Sequence, residues 1–289
     1  MNRQTGDTYV SSKFAKALFL AEGKVGKTSF LTASILGALP WQKFGGIVSK
    51  PENLHILAFD SSALGGLANF LTKTCGADKS VLKYNVYNFQ DDARKVATNQ
   101  TDWDFALYNQ VSAVIDEIQT KAKVGTHALL FSSLTGLCQS IQRSLQGPFA
   151  TKKGTGMDMS KWAAFSTALA ELRSKAQLDN LHTLWEAHVY VTPPKKPDEE
   201  AKESLQIDGK TGQNFAYNVE QVFRIRRQFQ NKFPGTNCDN VYLDTQPNME
   251  VIANGRGFTE NLDKKEPDLT LAFKKLGLQI GGYGAKEKV

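Results

Sequence analysis

The stretch Ala17 to Phe30 reads Ala-Leu-Phe-Leu-Ala-Glu-Gly-Lys-Val-Gly-Lys-Thr-Ser-Phe. Its opening run, Ala17 to Leu20, is apolar and short, the signature of a buried strand, and Phe30, Leu31, Ile35 and Leu36 then recur at helical spacing. Between them lies a loop that ends in Gly26-Lys27-Thr28. Strand, loop and helix in that order are the context a phosphate-binding loop requires. A polyphosphate needs backbone N–H groups aimed at it, and a loop entering a helix N-terminus supplies them together with the positive end of the helix dipole. The predicted cradle is Ala21, Glu22, Gly23, Lys24, Val25, Gly26, Lys27, Thr28 and Ser29. In it Gly23 and Gly26 let the backbone approach closely. Lys27 reaches the outer phosphates as a point charge, and Thr28 puts its hydroxyl on magnesium. The pattern G-x-x-x-x-G-K-[ST] asks for glycine where this chain has Ala21, a departure that costs little if the backbone there is ordinary.

The rest of the composition sets bounds on this reading. A chain of 289 residues, 41% hydrophobic and 22% charged, has the make-up of a soluble globular protein with one large core. No apolar run approaches a membrane span, and Met1 to Lys16 is polar without a signal segment, so no membrane association is expected. Cys75, Cys138 and Cys238 are scattered without metal spacing and fit thiols in a reducing compartment, which points to an intracellular, cytoplasmic protein. A net charge of +6, from 35 basic and 29 acidic residues, is compatible with nucleic acid without demanding it.

Along the chain, Leu54 to Phe59 reads as a second buried strand ending at Asp60, and Ala63 to Cys75 as a helix. Lys83 to Phe89 is a strand. Thr101-Asp102 caps a long amphipathic helix carrying Phe105, Leu107, Val111, Val114, Ile115 and Ile118. His127 to Phe131 is the next buried strand, followed by Ser132-Ser133-Leu134-Thr135 and a helix through Leu145. Gln146 to Ser160 is loop, Trp162 to Leu178 helix and Leu181 to Trp185 strand. Val191 to Gly212 is linker-like, rich in proline and charge. Val219 to Arg227, Val241 to Leu243 and Val251 to Ala253 read as late strands, and a helix over Pro267 to Leu276 precedes a frayed tail from Gly277. Strands that first alternate with helices and later crowd together predict an α/β fold: a mainly parallel central sheet flanked by helices and extended by antiparallel edge strands. One domain over residues 1–289, with a core of about 17–276, is the simplest division.

Residues also separate the nucleotide classes. Asn231-Lys232-Phe233-Pro234 fails the Asn-Lys-x-Asp pattern for guanine, which leaves ATP with Mg2+ as the expected ligand pair. Arg224, Arg226 and Arg227 could serve a kinase lid, but Val222, Phe223 and Ile225 between them make a strand, and a solvated edge face is the plain alternative. Four stretches together resemble the core-only RecA-like P-loop ATPases of bacteriophages, including the phage single-strand annealing proteins of RecA type. They are Ala21 to Thr28, Ala128 to Phe131 with Ser-Leu-Thr soon after, Leu181 to His188, and Asn254-Gly255-Arg256-Gly257-Phe258. The resemblance covers about Ala17 to Leu276, and only the phosphate loop is specific by itself.

That resemblance implies an ATPase working as a homo-oligomer on single-stranded DNA. It places the magnesium acid at position 132, where this chain has Ser132. Serine can hydrogen-bond a magnesium-bound water but brings no charge, so either Asp60 or Glu22 substitutes, or hydrolysis is slow. His188 or its neighbour Glu186 would sense the γ-phosphate, and Arg256 would be a finger reaching a neighbour's nucleotide. The matching DNA loops carry Lys152 and Lys153, and Lys195 and Lys196, with Phe149 and Phe215 available to stack on bases. The acids around Lys195 argue against a purely basic groove. Three functions fit: a single-strand DNA recombination or annealing ATPase, a replication accessory ATPase without DNA affinity, and a nucleotide-binding switch with weak hydrolysis.

Overall fold

The first strand, β1 (Lys16–Ala21), is Lys-Ala-Leu-Phe-Leu-Ala and is buried over all six residues. A strand covered on both faces is continuously apolar, the mark of the interior of a parallel sheet. β2 (Leu54–Ala58) and β4 (Ala128–Ser132) are buried along their whole lengths in the same way. β3 (Asn85–Asn88) lies at one edge, and β5 (His182–Thr192), β6 (Lys202–Leu205), β7 (Gln221–Lys232), β8 (Asp239–Asp244) and β9 (Asn254–Gly255) complete the sheet. This is a computed structural model, and it describes residues 13–60, 64–89, 106–146, 157–177, 180–194, 202–207, 210–234, 236, 239–244, 254–255 and 265–286.

The strand order is β3-β2-β4-β5-β1-β7-β8. Every pair from β3 through to β7 is parallel, while β8 and β9 run antiparallel to β7, and β6 antiparallel to the outer half of β5. The expected mainly parallel sheet with antiparallel additions is the one observed. Side chains alternate across it. Ala17, Phe19 and Ala21 point to the layer holding α1 (Lys27–Ile35), α2 (Leu67–Asn69, continued by a π turn over Phe70–Thr74) and the final helix. Leu18 and Leu20 point to the other layer, built from α3 (Ala106–Lys121), α4 (Leu134–Gln146), α5 (Met159–Ala176) and α6 (Lys210–Tyr217). There Phe131 and Trp185 stack with ring centroids 3.6 Å apart. Truncating either to alanine would cost about 3–5 kcal/mol. The final helix, α7 (Leu269–Lys275), is capped by Asp268, whose carboxylate accepts from Thr270 N and Leu271 N.

The structure departs from the sequence reading in several places. The helix expected over Ala63 to Cys75 begins only at Leu67, because Gly66 adopts φ 91° and cannot be a helical residue itself. The strand expected to stop at Trp185 runs on to Thr192, and its outer half pairs with β6, Val189 against Leu205 and Thr192 against Lys202. Main-chain pairing, which needs no apolar periodicity, thus orders part of the stretch taken for a linker, and α6 orders more of it. Strand β7 lies between β1 and β8 and is no edge, and Arg224 is fully buried, which corrects the solvated-face reading. Phe215 is a core residue, edge-on to Trp185 at 5.0 Å, and so is not available to stack on a base.

The tail read as frayed and flexible is also corrected. Gly281 N donates to Ile47 O, Tyr283 N to Val48 O, and Gly46 N to Tyr283 O, so the segment straps across residues 45–49. It carries little apolar periodicity because the backbone makes these contacts. The predicted Thr101-Asp102 cap and the Val251 to Ala253 strand lie outside the described residues. Among the described residues no helix is long and apolar enough to cross a membrane.

Candidate functional site

The C-terminal ends of β1, β2 and β4, the middle of β5 and the start of α1 converge on one pocket. Gly26 caps α1 with φ 86° and ψ 21°, a left-handed conformation that glycine adopts without strain. No side chain caps that helix end, and its first turn holds no acid, so the orphan N–H groups and the positive dipole end face the loop. Lys24 is left-handed as well, at φ 62°. Successive turns of this kind gather N–H groups into an anion-binding concavity. Ala21 ends β1, buried and with no left-handed φ, so its Cβ costs the loop nothing. At Gly23 an added Cβ would meet nothing nearer than His188 Nδ1 at 4.0 Å, so space alone does not require glycine there.

The pocket, about 240 Å³, is lined by Lys24, Gly26, Lys27, Thr28, Ser29, Asp60, Gly65, Ser132, Ser133, Glu186 and His188. Lys27 Nζ lies 3.2 Å from Nε2 and 3.5 Å from Nδ1 of the His188 ring. Burial lowers the pKa of Lys27, with Glu186 and Asp60 opposing the shift. Burial, aided by Lys27, takes His188 down to about 4, so its ring is neutral beside the ammonium. The Thr28 hydroxyl donates to Glu186 Oε2 at 2.7 Å, and Ser132 Oγ lies 3.3 Å from both that oxygen and Thr28 Oγ1. Burial raises Glu186 to about 7 against the pull of Lys27 and the two hydroxyls.

Of the residues singled out from sequence, Lys24, Gly26, Lys27, Thr28, Ser29, Asp60, Ser132 and His188 therefore share one cavity. Glu22 does not line it. Its Oε1 instead takes a bond from Arg224 Nη2 at 3.1 Å. That guanidinium also grips Glu203 of β6, with Nε at 3.1 and 3.0 Å from the two carboxylate oxygens and Nη2 at 2.7 Å from Oε1. Sequence reasoning missed Arg224 and Glu203 as a pair. The signal was an arginine inside Val222-Phe-Arg-Ile225, an apolar strand where a charge must find a buried partner. Arg256, Lys152, Lys153, Lys195 and Lys196 lie outside the described residues.

The donor set suits a magnesium-bound phosphate tail. Among the described residues no group of three or more His, Cys, Asp and Glu side chains could hold a metal alone. Magnesium in phosphate sites is held by few protein groups plus phosphate oxygens and water, and the Thr28 hydroxyl is such a group. A second cavity of about 350 Å³ adjoins the loop at Lys24 to Gly26 and is lined by Phe30, Phe70, Phe233, Arg227 and Asn240, among others.

No protein-family model matches the chain, and no curated protein does. Among solved structures, an ATPase from the type III secretion system of pathogenic bacteria is similar with a TM-score of 0.45 and 11% identity, over 78% of this chain. The chain spans 56% of the length of that ATPase. The RadB recombinase is similar with a TM-score of 0.39 and 10% identity, over 82% of this chain and 84% of that one.

Proposed function

We propose that this chain is a RecA-like ATPase that binds ATP with magnesium and acts on single-stranded DNA as a homo-oligomer. The observation that carries the nucleotide reading is the seat of Lys27 and Thr28, at the uncapped start of α1 and inside the pocket at the sheet's carboxyl edge. The backbone of Lys24 to Ser29 holds the phosphates, and the Lys27 ammonium neutralises the outer ones. The Thr28 hydroxyl, with Ser132 beside it, would hold a magnesium ion, which would supply charge stabilisation to the phosphate oxygens. Asp60, across the pocket, accepts the proton of the attacking water. His188, kept neutral, acts as a hydrogen-bonding sensor of the outer phosphate rather than as a second cation.

The DNA reading is supported by the β5–β6 hairpin, which carries Tyr190, 58% exposed, where a base can stack. One acid of this region, Glu203, is neutralised internally by Arg224, which removes part of the objection to an anionic partner. Lys152, Lys153, Lys195 and Lys196 supply phosphate contacts. Arg256 serves as a finger that reaches the nucleotide of a neighbouring copy.

Two titrations test the proposal. A fluorescent ATP analogue with Mg2+ should bind the wild type, and Lys27→Ala should weaken binding at least tenfold; no binding by the wild type ends the nucleotide reading. Single-stranded DNA affinity should fall with salt, and replacing Lys152 and Lys153 with alanine should reduce the log–log slope by about 1.4. No binding at low salt removes DNA and leaves the replication-accessory reading. Ser132 at the expected acid position favours a second reading, a nucleotide switch with slow hydrolysis, which robust wild-type turnover would eliminate.

A further inference from the structure

We infer that Glu186 is the carboxylate of the magnesium centre, displaced by one strand from position 132. The inference rests on the reading that Ala21 to Ser29 holds a nucleotide's phosphate tail. Strands β4 and β5 are parallel neighbours, with Leu130 opposite Leu184 and Phe131 opposite Trp185, so the next residues, Ser132 and Glu186, stand side by side. Trp185 belongs to the opposite layer, so alternation turns Glu186 toward α1, where Leu184 and Phe19 also point. From there its Oε2 accepts a hydrogen bond from the Thr28 hydroxyl at 2.7 Å, which turns the Thr28 oxygen's lone pairs toward a cation.

The other oxygen, Oε1, is the telling atom. Glu186 is 0% exposed, yet Oε1 has no hydrogen-bond partner among the described residues, and the side chain lines the phosphate pocket. A buried acceptor without a partner destabilises the fold, and more so when it is charged. A hydrated magnesium ion in the pocket supplies that partner. Serine at 132 then follows from charge and space: an aspartate there would set a second carboxylate against Glu186 inside a buried site. The magnesium acid is thus carried on β5 in place of β4.

The test separates metal from nucleotide. ADP binding is measured by calorimetry in EDTA and in Mg2+, and Mn2+ bound with ADP is followed by electron paramagnetic resonance. In Glu186→Gln, Mn2+ affinity in the ADP complex should drop about 10–100-fold, while ADP affinity in EDTA stays within about threefold of wild type. Ser132→Asp combined with Glu186→Ser should return Mn2+ affinity to within about tenfold of wild type. If wild type binds ADP in neither buffer, the nucleotide reading falls and takes this inference with it. If wild type shows the metal-dependent increment and Glu186→Gln retains it, the inference alone is wrong. Should circular dichroism show Glu186→Gln unfolded, the swapped double variant decides: Mn2+ binding retained supports the displaced acid, and Mn2+ binding lost overturns it.

Discussion

Removing Arg224 should unsettle this protein more than any surface charge would. Its side chain is 1% exposed and that of Glu203 6%, and three N–H···O contacts of 2.7–3.1 Å join them. Arg224 Nη1 also donates to Ile225 O at 2.8 Å. In Arg224→Leu the buried Glu203 carboxylate keeps only the longer contact to the partly exposed Arg226, Nη2 at 3.6 Å, so the loss costs up to about 3–5 kcal/mol. The third partner adds little: Glu22 is 57% exposed, so its bond to Arg224 is worth at most about 1 kcal/mol. For a chain of this size the loss corresponds to roughly 2 °C per kcal/mol, a fall in Tm of about 6–10 °C. The assay is urea and thermal unfolding of wild type, Arg224→Leu, Glu203→Leu and the double variant. Because the double variant leaves no stranded charge, it should be more stable than Arg224→Leu, with a coupling of at least about 2 kcal/mol. Additive single effects, or an Arg224→Leu cost under about 1 kcal/mol, would refute the reasoning.

Other outcomes follow from the same kind of argument. His182 is fully buried, its Nδ1 accepting from Ala15 N and its Nε2 donating to Gln279 O, so the neutral ring satisfies both partners. Burial, aided by Lys16, takes it down to about 3, so the unfolded chain binds a proton that the folded one refuses. Its contribution to stability is whole above about pH 6.5 and declines as pH falls, by about 2 kcal/mol at pH 5; the urea midpoint of His182→Asn should therefore depend less on pH between 5 and 7 than that of wild type. At Gly281 an added Cβ would lie 2.1 Å from Ser49 N and 2.2 Å from Val48 C, both backbone atoms. Gly281→Ala should release the C-terminal strap at a cost of about 1–3 kcal/mol, read as faster hydrogen exchange at the Gly46, Gly281 and Tyr283 amides. Cys75 is half-buried and its thiol is pushed up to about 12 by burial. It should react with a maleimide at pH 7 far more slowly than a small-molecule thiol does.

Much of the fold was legible because its interior strands are apolar from end to end. β1, β2 and β4 announce themselves as runs, and the loop into α1 is marked by Gly26-Lys27-Thr28. Lys27, Thr28, Asp60, Ser132 and His188 stand out in the sequence by motif and strand-end position, and they share one cavity. What stayed hidden depends on which strand lies beside which. In the sequence Glu186 stands out only as a candidate phosphate sensor, since its closeness to Thr28 and Ser132 follows from β5 lying between β1 and β4. A carboxylate within Leu184-Trp-Glu-Ala187, buried on both sides, was the available clue. The hairpin and the C-terminal strap were illegible for a different reason: main-chain bonds hold them, and backbone pairing leaves no trace in side-chain periodicity.

Strand β5 has a mechanical consequence. It runs from His182 to Thr192 without a turn, with Glu186 near its middle and the β6 pairing along its far half. At about 3.3 Å per residue, the rod from Glu186 to Thr192 is roughly 20 Å long. A tilt of a few degrees at the phosphate end swings the far tip by an ångström or more. The phosphate pocket and the exposed Tyr190 thus lie on one uninterrupted strand.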